Sequence, residues 1–408
     1  MGNVRVTRPP SVETVFDLVV DIPYEELERD PYQFYARLRD ECPVAYVPST
    51  GRVWISTWDL CKEAGLNDGV FGPTQEIHEY VYGCPNIMSL SGEEHRVIRD
   101  ATKAPVMPQQ VRGYREGMLD TARQYMQRVR HQGHADASRE IFEPITQRVV
   151  GDVLGFTDVD DATLSRWLDA LAAHLADFGR TSAVTDLANQ VKAETREYLE
   201  ARLPELGSGP NTTMLTHLRR DGMPEGELRP LDEIIPTVWV AIVGGFQEPA
   251  HLVSSTLHGL LTNPDQLGLV RADPGKWMRL AIEEGLRWNP PFGMMEKRTT
   301  EDVTLGGVRI PAGTEIAMVI GSANRDPARF SRPDEFDITR TDRGNVSFGF
   351  ASHFCIGHHM ARSLAEVVLT EALDTFPNLR LDPDRPTEMF GWVARGPKQM
   401  PVLWDDIR

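Results

Sequence analysis

Residues 345–362 read Asn345-Val-Ser-Phe-Gly-Phe-Ala-Ser-His-Phe-Cys355-Ile-Gly-His-His-Met-Ala-Arg362, a glycine-bearing loop that delivers one cysteine just before a helical pattern. A thiol at a helix N-terminus is stabilised as the thiolate by the helix dipole and by loop amides, and the thiolate is the form that binds metal. The bland alternative is a buried, inert cysteine, the commonest fate of a free one. The other cysteines, Cys42, Cys61 and Cys84, lie too far apart for a C-x-x-C motif, and a core of this size needs no disulfide staples.

Outward from that loop, 408 residues with 41% hydrophobic and 25% charged content supply ample apolar material for a large core. Lys and Arg number 43 against 60 Asp and Glu, a formal charge of -17, which argues against a nucleic-acid partner because phosphate tracking needs a basic face. The N-terminal residues show no long apolar run and read as no signal peptide. Ile234 to Phe246, the longest apolar stretch, is too short for a bilayer and suits a buried core helix. A cytoplasmic, membrane-free protein is the expectation.

Helical periodicity dominates: GYREGMLDTARQYMQRVRHQ and DLANQVKAETREYLEARLPEL place apolar residues three and four apart with charges between. Strand signals are few. PVAYVPSTGRVWIS reads as two runs around Ser49-Thr50-Gly51, and DVTLGGVRIPAGTEIAMVI as a hairpin followed by an extended run. LGSGPNTT at 206–213 is a loop rather than a linker, and no repeat is visible, so residues 1–408 read as one mainly α domain with a small β region.

Three further motifs occur in order: His95-x-x-x-Arg99, Glu284-x-x-Arg287 and Ala323-Asn324-Arg325-Asp326-Pro327. Taken singly, the first two are ordinary solvated helix faces. Together with Phe348-Gly349, His353, Cys355 and Gly357, this set resembles the cytochrome P450 family, with Ala351 as one mild departure from the haem-binding loop. The resemblance implies that family's single triangular-prism fold and a haem b whose iron is held by Cys355. It also implies that His95, Arg99, Arg298 and His353 hold the propionates, and that Glu284 and Arg287 form a structural ion pair. A thiolate ligand pushes electron density onto iron and favours O–O cleavage.

The family's distal helix normally carries an acid–alcohol pair, whereas this chain reads Gly244-Gly245-Phe246-Gln247-Glu248-Pro249. Small residues open a groove, and proline removes a helix hydrogen bond. Gln247 and Glu248 are the catalytic candidates, Glu248 as a proton relay if burial raises its pKa; peroxide-driven chemistry is the fallback. The Gln-Glu-Pro variant, with PTVWVAIVGG, GLRWNPP and GWVARGP, is similar to bacterial methoxyphenol O-demethylases.

That narrower resemblance places Tyr82, Met88, Leu175, Val240, Val243, Gly244, Phe292, Met295, Glu296 and Ala394 at the substrate, with Glu296 a candidate contact to a phenol. Tyr82, Leu175 and Ala394 stand where the guaiacol enzymes carry three phenylalanines. The lost bulk favours syringol (2,6-dimethoxyphenol) over guaiacol, although Met295 adds some back. Hydroxylation of the methoxy carbon gives a hemiacetal that collapses to formaldehyde and a phenol. Besides O2, the partner is an NAD(P)H-dependent flavin and iron–sulfur reductase or a ferredoxin, since the chain has no flavin motif or cluster cysteines. Open alternatives are natural-product tailoring, a para-substituted benzoate monooxygenase and, from another class, a non-catalytic haem sensor.

Overall fold

The computed structural model describes residues 6–7, 19–177 and 179–405. Helices dominate them and the strands are short, the mainly α fold with a small β region that the sequence predicts. The chain forms two compact units, Met1–Thr74 with Ser254–Cys355 and Pro383–Met400, and Gln75–Val253 with Ile356–Asp382 and Pro401–Arg408.

The first unit is built on a seven-stranded sheet in the order Val6–Thr7, Val19–Val20, Val44–Val47, Arg52–Ile55, Glu315–Met318, Met295–Thr299, Phe71–Gly72. The two runs around Gly51 pair as an antiparallel hairpin, Val47 opposite Arg52, with Gly51 at φ 68°. Arg52–Ile55 runs parallel to Glu315–Met318, which in turn runs antiparallel to Met295–Thr299. The second expected hairpin is Val303–Leu305 against Val308–Ile310; Gly306 and Gly307 both take positive φ, as a tight two-residue turn requires. Val44, Val53, Ile55, Phe71, Ile316 and Met318 form the core beside the sheet, joined by Val346 with Phe350 packed against it. The cysteine loop therefore rests on this sheet.

The second unit is mainly helical, with one small sheet in the order Arg380–Leu381, Pro401–Leu403, His134–Asp136. Pro108 opens the helix Pro108–Val129, where a missing N–H costs nothing, and Val111, Met118, Ala122, Tyr125, Met126 and Val129 form its buried stripe. It packs on His358–Thr375, with Arg115–Glu366 at 2.7 Å and Arg123–Glu371 at 3.2 Å across the seam. Asp160 caps Asp161–Ala176 by accepting the Thr163 N–H at 3.0 Å, and Gly155 at φ 114° ends Glu143–Leu154. Ile234 to Phe246 lies in the 32-residue helix Leu231–Thr262, about 48 Å long at 1.5 Å per residue. Pro236 and Pro249 sit inside it without ending it. The loop predicted at 206–213 begins only at Gly209, because Leu206, Gly207 and Ser208 close the short helix Leu203–Ser208.

Candidate functional site

The loop carrying Cys355 is braced at its upstream end by Asn324. Its Oδ1 accepts the Val346 N–H at 2.9 Å and its Nδ2 donates to Ser347 Oγ at 2.8 Å. Ser347 in turn donates to the Leu286 carbonyl at 2.7 Å. The Phe350 ring occupies the space beside Gly65 that any Cβ would need. The Cys355 N–H closes the loop by donating to the Phe348 carbonyl at 2.7 Å. The chain reverses through Gly349 at φ 79° and Ala351 at φ 47°. Ala351 is thus a less mild departure than the sequence suggests: it occupies the left-handed region, which costs an L-residue roughly 1–2 kcal/mol.

Cys355 is half-buried and lies three residues ahead of the helix His358–Thr375. Cys61 is the inert kind instead: fully buried, its thiol donating to the Ile55 carbonyl at 3.2 Å, its pKa pushed up by burial.

Behind the loop, Glu284 and Arg287 pair through two bonds, Nε to Oε2 at 2.8 Å and Nη2 to Oε1 at 2.7 Å. Arg287 is 1% exposed and also donates to the carbonyls of Asn324, Pro333 and Glu335 at 2.7–2.9 Å. Arg340, which sequence reasoning missed, is the third member, its Nε 3.3 Å from Glu284 Oε2. The Ala323–Pro327 motif completes the brace. Arg325 donates to the Trp288 carbonyl at 2.9 and 2.6 Å, and Asp326 accepts the Trp58 N–H at 2.8 Å.

Of the four cationic candidates, His95 is buried and Arg99 half-buried, one turn apart on Gly92–Lys103. His353 sits in the turn Ala351–His353. Arg298 is on the strand Met295–Thr299, where its Nε donates to the Gly313 carbonyl at 3.1 Å and lies 3.7 Å from Glu315.

On the long helix, Val240, Ala241, Gly245, Gln247 and Glu248 are only half-buried and Gly244 is exposed, while Ile242, Val243 and Phe246 are buried. The accessible positions recur at helical spacing and form one open face. A Cβ on Gly244 would meet nothing within 4 Å, whereas one on Gly245 would strike Val150 at 2.8 Å. Pro249 has no N–H to offer the Gly245 carbonyl, leaving an acceptor free of its helical bond. The Glu248 Oε2 is enclosed without a hydrogen-bond partner, and burial raises the carboxyl to about 7. His251, one turn on, is driven the other way, to about 4, by burial and then by the charge of Arg139.

The substrate candidates fall into two sets. In the helical unit, Tyr82 is buried on Gln75–Tyr82, and Met88 and Leu175 are half-buried. Their segments meet: Tyr80 packs on His174 with ring centroids 4.9 Å apart, and the Ile87 N–H donates to Thr237 Oγ1 at 3.1 Å, three residues before Val240. In the sheet unit, Phe292 and Ala394 are bridged as antiparallel neighbours, and Met295 approaches Gly349 of the cysteine loop. Glu296, the candidate contact to a phenol, has its carboxylate engaged by Arg52, with both side chains more than nine-tenths buried.

In the sheet unit the half-buried Cys355 on its braced loop, with the basic side chains of Arg298 and His353, is a donor set that fits a haem iron and its carboxylates; the helical unit by itself offers the basic His95 and Arg99 and an open helix face bearing Ala241, Gly244 and Gly245. A Cytochrome P450 family model matches residues 276–403, the stretch holding Glu284, Asn324 and Cys355. Relatives include Cytochrome P450 107B1 of Saccharopolyspora erythraea, 28% identical over 92% of this chain and 95% of its own. Steroid C26-monooxygenase of Mycolicibacterium smegmatis is 28% identical over 91% and 92%. Among solved structures, CalO2 matches with a TM-score of 0.82 at 26% identity, covering 92% of this chain and 96% of that one. P450BioI, solved with an acyl carrier protein, matches at 0.84 and 23% identity over 94% and 100%, a likeness of fold. No helix among the described residues is long and apolar enough to cross a membrane.

Proposed function

Because the chain belongs to the cytochrome P450 family and is a haem-thiolate monooxygenase, we propose that it demethylates a small methoxyphenol, syringol ahead of guaiacol, releasing formaldehyde. The bound haem supplies the oxygen activation: one oxygen atom enters a C–H bond of the methoxy carbon, and the other leaves as water with two electrons and two protons. In this reading Cys355 Sγ ligates the iron. His95, Arg99, Arg298 and His353 neutralise the propionates, where charge-assisted bonds are strong. Glu284 and Arg287 hold the loop.

The observation that carries the reading is Glu248. A carboxyl with an enclosed, unpartnered oxygen and a pKa near 7 both holds and returns a proton at neutral pH. With Gln247 beside it on the open face, it takes the place of the usual acid–alcohol pair. It also argues against a non-catalytic sensor, which needs no proton donor. Tyr82, Met88, Leu175, Val240, Val243, Gly244, Phe292, Met295 and Ala394 are the residues this reading assigns to orienting the methyl group. Leu175 and Ala394 are the small side chains that admit a second methoxy group.

Electrons come from NAD(P)H through a flavin and iron–sulfur reductase or a ferredoxin. His358, His359 and Arg362, clustered at the start of their helix with His358 and His359 rings 3.8 Å apart, form the docking face. Arg96 and Lys103 add little, because Glu93 and Asp100 already pair with them. The name Steroid C26-monooxygenase among the relatives favours a second reading, hydroxylation of a larger natural product.

Optical titration of the ferric protein separates the two. A near-complete low-spin to high-spin shift with syringol, a smaller one with guaiacol, and formaldehyde on turnover support the demethylase. A shift with steroids or macrolides and none with methoxyarenes overturns it.

A further inference from the structure

Ser352 is exposed, between the left-handed Ala351 and His353, three residues before Cys355. It is nevertheless held twice by one oxygen: its Oγ donates to Asp68 Oδ2 at 2.6 Å and its N–H to the same atom at 3.2 Å. The other carboxylate oxygen, Asp68 Oδ1, accepts from Lys297 Nζ at 2.7 Å. Lys297 is 5% exposed, and a lysine is almost never so buried unless paired. Burial works to raise the Asp68 carboxyl, but the bonds from Lys297 and Ser352 prevail and hold it below its ordinary value. Asn324 and the Phe350 packing secure only the upstream half of the loop. Asp68 secures the half that leads into the cysteine.

We infer that Asp68 and Lys297 are positioning residues for the thiolate, a clamp on Ser352 that keeps Ala351 in its left-handed turn and so presents Cys355 Sγ in one orientation. A residue in a sparsely populated conformation persists only when its surroundings over-determine it. Ala351 supplies the strain, and the buried Lys297–Asp68 pair supplies the restraint. Glycine at 351 has no such strain and needs no such restraint. The inference rests on the reading that Cys355 is the iron ligand.

The test uses the holoenzyme with Asp68→Asn, Ser352→Ala and Asp68→Asn/Lys297→Met, each also combined with Ala351→Gly. The readout is the rate at which the reduced carbonyl complex loses its red-shifted, thiolate-specific band in mild denaturant, alongside haem content and melting temperature. The clamp predicts several-fold faster loss in Asp68→Asn and Ser352→Ala at unchanged haem content, with most of the effect removed by Ala351→Gly. The double variant Asp68→Asn/Lys297→Met should match Asp68→Asn, showing that a stranded lysine is not the cause. Band loss at the wild-type rate, or a faster loss that glycine does not rescue, overturns the clamp. A wild-type protein with no red-shifted band overturns the thiolate reading itself and the clamp with it.

Discussion

Arg52 and Glu296 form an ion pair between the strands Arg52–Ile55 and Met295–Thr299, which flank Glu315–Met318, with their side chains only 8% and 7% exposed. In the central strand Ala317 registers opposite Trp54 on one side and Glu296 on the other, so the pair spans the strand between its partners. Removing one partner of a buried pair strands the other charge and costs about 3–5 kcal/mol, whereas replacing both with apolar residues is often neutral. Glu296→Ala should therefore lower unfolding free energy by about that amount in a denaturant titration. Arg52→Met/Glu296→Leu should recover most of it. Syringol affinity should stay unchanged in the double variant; a weakened spin shift there would place Glu296 at the substrate.

The Glu248 carboxyl, raised to about 7, sets a pH dependence whose sign is fixed. Its protonated fraction falls as pH rises through 7, so coupled turnover should decline over that range and Glu248→Gln should remove the decline along with much of the rate. Stability follows the same group. Between the ordinary carboxyl value and 7 the folded state binds the extra proton, so its stabilising contribution is present at low pH and lost as pH rises through 7. His251, lowered to about 4, tilts the other way, losing stability as pH falls below the ordinary imidazole value. Glu248→Gln should consequently shift the pH of maximum melting temperature upward; a downward shift would mean that the carboxyl is ionised in the folded protein.

What the sequence made legible was local chemistry. The two hairpins follow from β-branched runs around glycine turns, and the long core helix from its unbroken apolar stretch, because each depends on neighbours a few residues apart. What it hid were partners far along the chain. Nothing near Glu284 announces Arg340, nothing near Ser352 announces Asp68, and Glu296 looked available because Arg52 lies 244 positions earlier. Ala351 was misjudged for a related reason: residue type says little until φ is known. The long helix outran its apolar stretch because two prolines were accommodated without ending it.

Arg287 is the residue least replaceable by another cation. Its planar fork serves Glu284 with two bonds while the same group reaches three carbonyls on the segment Asn324–Glu335. Lysine offers three donors on a point charge and cannot reproduce that fork. Arg287→Lys keeps the charge but leaves some of these acceptors unpaired, at about 1–3 kcal/mol for each buried group so stranded, and should reduce haem retained through purification. Full haem occupancy with an unchanged melting temperature would show that Arg340 alone suffices to hold Glu284.

Ala394 offers the sharpest test of substrate size. Phe292 and Ala394 are locked as antiparallel neighbours, with the Gly293 N–H donating to the Val393 carbonyl at 2.7 Å and the Arg395 N–H to the Pro291 carbonyl at 2.8 Å. That backbone pairing holds the Cβ of Ala394 beside Phe292, so a larger side chain there must project from a fixed origin. In the demethylase reading, the space left by a missing ring takes the second methoxy group of syringol. Ala394→Phe fills it. Excluding one methyl-sized group from an apolar pocket is worth about 1–3 kcal/mol, roughly tenfold or more in affinity. Syringol should therefore bind at least about tenfold more weakly, while guaiacol, with nothing to place there, keeps its affinity or gains some. Equal losses for both ligands would mean that the substitution disturbs the strand pairing, and equal retention would remove Ala394 from the substrate contacts.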